Sequence, residues 1–105
     1  MDLLNRFTNA TKFRDYDDFY NNFKLTVPSD FNFAYDVVDE YARLEPNKRA
    51  LVWCDDLGGE EIFTFGDIMR LSAKTANFFI SSGIGKGDRV LVILPRRYES
   101  WTVLM

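Results

Sequence analysis

Histidine is absent from this 105-residue chain. Its absence removes both the commonest general base and the commonest metal ligand. Cysteine occurs once, as Cys54. No internal disulfide can form, which fits a reducing compartment. Without a histidine to activate it, Cys54 reads as a small buried apolar residue on a strand, not as a nucleophile. Positive charge is in short supply, and the net charge of -3 offers no broad attraction for nucleic acid or an anionic membrane. No apolar run approaches the ~20 residues that cross a bilayer. The amino terminus carries Asp2 and lacks a cationic start followed by an apolar core, so it does not read as a secretory signal. Internal repeats and low-complexity tracts are missing too. These absences lead to the expectation of a soluble, cytoplasmic protein.

What is present is ordinary in bulk and uneven in detail. Hydrophobic residues make up 47% and charged residues 28%, as in a globular protein that can bury a modest core. Aromatic residues reach 16%, with ten Phe and five Tyr, many of them in the first 35 positions. Residues 1–14 read as a polar, irregular, flexible segment. Within 15–23, Tyr16, Phe19, Tyr20 and Phe23 recur at helical spacing. Residues 32–45 predict a helix with a stripe of Ala34, Val37, Val38, Tyr41 and Ala42, Asn32 as N-cap and Pro46 as its end. Residues 50–55 and 61–64 predict two strands of a hairpin joined through Asp56-Leu57-Gly58-Gly59.

Thr64-Phe65-Gly66-Asp67 fits a capping box, in which the Thr64 hydroxyl takes the Asp67 amide and the Asp67 carboxylate reaches back. The helix behind it is expected to run to about Ser82, with Ile68, Leu71, Thr75, Phe78 and Phe79 toward the core. Gly83 suits the left-handed position that closes such a helix. The next residues, 89–94, are apolar on both sides. A strand of that kind belongs inside a sheet covered on both faces. With the preceding helix it predicts a strand–helix–strand unit, right-handed if parallel. A last helix opens at Arg97 or Tyr98, and the sequence ends inside it. The class expected is α/β, with an incomplete sheet.

Several residues invite a functional reading. Gly83, Gly85 and Gly87 with Lys86 resemble a phosphate cradle, but they follow a helix and precede a strand. Phosphate loops have the opposite polarity, because a helix N-terminus supplies the free amides. A helix cap and a tight turn are the better reading. Arg96 and Arg97 stand just past the carboxyl end of the expected strand, where open α/β sheets gather ligands. They are candidates for an anionic substrate, against the plainer reading of a solvated pair at a helix start. Asp15, Asp17 and Asp18 read as favourable charges on a first helical turn, and Asp55-Asp56 as turn chemistry. The aromatic stripe of 15–23 reads as packing, since no basic residues interleave with it.

The motifs Phe31-Asn32-Phe33-Ala34, Pro46-Asn47-Lys48-Arg49-Ala50-Leu51-Val52-Trp53, Phe63-Thr64-Phe65, Gly83-Ile84-Gly85-Lys86-Gly87-Asp88-Arg89-Val90 and Leu94-Pro95-Arg96-Arg97, in this order and spacing, resemble the beginning of an AMP-forming acyl-CoA synthetase of the adenylate-forming superfamily. The wording is nearest the medium-chain branch, and the resemblance covers about residues 15–105. It implies that these residues are the N-terminal portion of a large synthetase domain. It further implies a parent enzyme that uses ATP, Mg²⁺ and coenzyme A to convert a carboxylic acid to an acyl-adenylate and then a thioester. The family's Gly/Ser/Thr-rich loop, aromatic-Thr-Glu segment, ribose-holding Asp and mobile lysine are absent from these residues. No catalytic, cofactor-binding or metal-ligating residue is therefore assigned here. The isolated segment is expected to be inactive, to carry no cofactor and to self-associate through its unfinished sheet. The rest of the synthetase chain is its natural partner. Two rivals come from other classes: a free-standing interaction or dimerisation module, and a small nucleotide-binding α/β domain. The second needs glycines after a strand, and the place after Leu94 has none.

Overall fold

The computed structural model describes residues 3–105, so Asp2 lies outside the described residues. Two compact units are formed, Met1–Asn32 and Phe33–Met105.

In the first unit a short 3-10 turn, Leu3–Arg6, precedes helix α1, Tyr16–Asn22. Asp15 caps α1 by accepting from the Asp18 amide at 2.8 Å. Asp18 in turn accepts from the Arg14 amide at 2.9 Å. These backbone donors hold both carboxyls below the usual carboxylate range. The expected aromatic stripe divides in two. Phe19 and Phe23 stack at 5.1 Å and meet the edge of Phe13, while Tyr16 and Tyr20 stack on each other at 6.0 Å and stay exposed. The segment expected to be irregular contains the 3-10 turn, and Thr8 bridges to Leu25. The Asn9 side chain donates to the Asn22 carbonyl and accepts from the Lys24 amide, both at 2.8 Å.

The second unit begins with wide, π-type helical turns over Ala34–Asp39 that continue as α2, Glu40–Leu44. The expected single α-helix is thus half π. The apolar stripe selects the buried side, Val38 and Ala42, whichever ring size the backbone hydrogen bonds adopt. Strands β1, Arg49–Cys54, and β2, Glu60–Thr64, pair antiparallel with Leu51 opposite Phe63 and Cys54 opposite Glu60. Asp55 builds the turn, its Oδ1 accepting from the Leu57 and Gly59 amides at 2.9 and 2.7 Å.

Helix α3, Phe65–Ser81, carries the expected capping box. The Thr64 hydroxyl accepts from the Asp67 amide at 3.1 Å, and Asp67 accepts from the Thr64 amide at 2.9 Å. At the other end Gly83 has φ +79°. The Ile84 amide reaches back to Phe79 and the Gly83 amide to Ile80, both at 3.0 Å, which satisfies carbonyls a helix end leaves open. Ile68 is 5% exposed and forms the core with Val38 and Ala42. The Phe65 ring stacks on Tyr41 at 4.8 Å. Phe78, expected to face the core, is 65% exposed. It lies in the last turns of α3, past the reach of the two-stranded sheet. Helix α4, Glu99–Leu104, follows.

Residues 89–94 correct the main sequence expectation. They form no strand, and among the described residues the only sheet has the two strands β1 and β2. The strand–helix–strand unit is therefore not made. Leu91 and Ile93 are 84% and 82% exposed. A strand draws its hydrogen bonds from other segments, and among the described residues no strand pairs with this one. Cys54 is likewise exposed, because the end of β1 stands at the open rim of the hairpin.

Candidate functional site

The corner at residues 95–98 gathers several directed contacts in the second unit. Pro95 restricts its own φ, and the Arg97 amide donates to the Pro95 carbonyl at 2.6 Å. From β1, the Trp53 indole Nε1 donates to the Arg96 carbonyl at 2.9 Å. Tyr98 sits edge-on to Trp53 at 5.5 Å and against Phe63 at 4.9 Å. Side-chain alternation along β1 and β2 thus brings one aromatic from each strand to the same corner.

The two candidate arginines separate here. The Arg97 guanidinium lies over Trp53 at 5.4 Å and Tyr98 at 5.1 Å. It also donates twice to Glu99, at 2.9 and 3.1 Å. This pairing holds the Glu99 carboxyl below its ordinary range and raises Arg97 above its own. Arg96 is exposed, and its side chain has no ion pair among the described residues. Spacing alone gave no sign of this division, since it depends on Trp53, 43 residues away.

The glycine run does not fit a nucleotide phosphate. It follows the C-terminal end of α3, whose dipole is negative. The Asp88 carboxylate already accepts from the Gly85 amide at 2.8 Å. Among the described residues no group of three or more Cys, Asp or Glu side chains is gathered that could hold a metal ion. Asp17 and Asp18 lie in the first turn of α1, as expected, Asp15 stands just before it as the N-cap, and Asp55 builds the hairpin turn.

Two open grooves lie among the described residues of the second unit. One, of about 400 Å³, runs between β2 and α3 past Ile62, Asp67, Arg70 and Lys74. Asp67 there pairs with Arg70. The other, of about 230 Å³, is lined by Phe33, Val38, Leu51, Phe65 and Trp101.

The AMP-binding enzyme family model matches residues 38–105. The chain belongs to this family. Acyl-coenzyme A synthetase ACSM3, mitochondrial, of Homo sapiens is 36% identical over 103 residues, covering 92% of this chain and 18% of that protein. The rat proteins named acyl-coenzyme A synthetase ACSM2, mitochondrial, and ACSM4, mitochondrial, are 42% and 39% identical over 85 and 95 residues. They cover 75% and 83% of this chain but 15% and 16% of their own lengths. The AMP-forming acyl-CoA synthetase resemblance read from the motifs is therefore sound, and the chain spans less than a fifth of these relatives. The expectation of a cytoplasmic protein is corrected by their names, all of which carry the mitochondrion. Net charge and cysteine content do not distinguish cytosol from mitochondrial matrix.

Proposed function

We propose that residues 15–105 are the N-terminal portion of the large domain of a mitochondrial AMP-forming acyl-CoA synthetase. The whole protein activates a carboxylic acid with ATP and Mg²⁺, releases pyrophosphate, and passes the acyl group from the adenylate to the coenzyme A thiol. The work of these residues is structural: they open the sheet that the remainder of such a chain completes. One observation carries this reading. The run 90–94 is apolar on both sides, yet it is exposed and outside any sheet. Apolar surface of that extent is stable only when covered, and the family relatives are more than five times as long.

Complementation tests the reading. The chain alone, given ATP, Mg²⁺, a medium-chain carboxylic acid and coenzyme A, releases no pyrophosphate. Human ACSM3 shortened by the matching stretch is also inactive, and mixing the two restores release. Pyrophosphate release by the chain alone, or no restoration on mixing, overturns the reading. Exposed Tyr16 and Tyr20 favour a second reading, a free-standing interaction or dimerisation module. A monodisperse dimer of the chain that fails to complement would select it.

A further inference from the structure

We propose that Arg96 contacts a phosphate group of a substrate and that Arg97 is the residue that positions it. This rests on the synthetase reading above. The two arginines are adjacent in sequence and opposite in circumstance. Arg97 has committed its charge to Glu99 and its guanidinium plane to Trp53 and Tyr98. Arg96 has committed neither, while its backbone is fixed by the Trp53 indole. A guanidinium offers five donors in a planar fork that matches a phosphate. When such a group is held on a fixed backbone, less freedom is lost as a ligand binds.

The place agrees with the chemistry. Arg96 follows the apolar run 90–94 with only Pro95 between, so if the remainder of a synthetase chain turns that run into a strand, Arg96 stands at its carboxyl end, where open α/β sheets collect their ligands. The carboxylic acid loses its charge as it becomes an adenylate. The phosphates of ATP and coenzyme A keep theirs throughout, so a fixed cation at this corner suits one of those two substrates.

The protein expressed from the full reading frame that contains these residues is titrated calorimetrically with coenzyme A and, separately, with ATP. Unmodified protein is compared with Arg96→Gln, Arg96→Lys and Arg97→Gln. Arg96→Gln should raise Kd for one of the two by about tenfold or more, the loss expected for one charged hydrogen-bonded contact. KM for the same substrate should rise in step, with kcat within about twofold and the melting temperature unchanged. Arg96→Lys should recover part of the binding, because it restores the charge without the fork. Arg97→Gln should shift Trp53 fluorescence and weaken the same substrate less. Which titration changes tells coenzyme A from ATP. Both Kd values within twofold in Arg96→Gln, or a change confined to the carboxylic acid, would overturn the proposal. If the unmodified protein makes no acyl-CoA, the synthetase reading fails on that result alone. The titrations still decide Arg96: binding that is lost in Arg96→Gln keeps the contact, and binding that is absent or unchanged removes it.

Discussion

Helix α3 and the run 89–94 follow one another in the chain and carry equally strong sequence signals, yet only one becomes its expected element. The helix closes its hydrogen bonds within itself. Its start and stop are set by Thr64, Asp67 and Gly83, all inside or beside it. The run 89–94 has the composition of a central strand, but a strand has no hydrogen bonds of its own to make. Its state depends on what pairs with it, and no strand among the described residues does. Local elements can therefore be read from a segment, whereas sheet membership belongs to the neighbourhood.

The difference can be sharpened by substitution. Ile68→Ala on the buried face of α3 should cost the most, about 2–4 kcal/mol in denaturant unfolding, as for other buried aliphatic truncations. Gly83→Ala places a Cβ on a backbone at φ +79° and should cost about 1–2 kcal/mol. Asp67→Ala removes half of the capping box and should cost about 1 kcal/mol.

The last change has a pH signature. The backbone and hydroxyl of Thr64 hold the Asp67 carboxyl below its ordinary value of 3.8. A lowered carboxyl stabilises the fold above that ordinary value, and the contribution fades as pH falls through the folded one. The denaturation midpoint of the unmodified chain should therefore drop more steeply below about pH 4 than that of Asp67→Ala. Parallel pH profiles would show that the cap contributes no such linkage.

The smallest effect on stability belongs to the other region. Ile93→Asp should change unfolding by no more than about 0.5 kcal/mol, as for an exposed site, while sedimentation shows less self-association of the chain. A loss of several times that size would mean that 89–94 already packs in the isolated chain, and the contrast with α3 would collapse.

The candidate site was legible only as a place. A basic pair after an apolar run, at the end of an expected strand, is visible in the sequence. That Arg97 is consumed by Trp53, Tyr98 and Glu99 while Arg96 is left outward is not, because the partner that decides it comes from β1. Phe78 and Cys54 fail for a related reason. Periodicity gives the face a residue occupies, and burial further requires an element opposite that face. The compartment was misread because charge and cysteine content describe a kind of solvent, and two compartments share it.

By itself the sequence determined the elements whose bonds are local: the Thr64 capping box, the Asp55 turn and the Gly83 stop. Only the tertiary structure decided the state of residues 89–94, the division of labour between Arg96 and Arg97, and the exposure of Phe78. Each of these depends on contacts between segments distant in the chain. Such contacts form only where loop closure and burial favour them together.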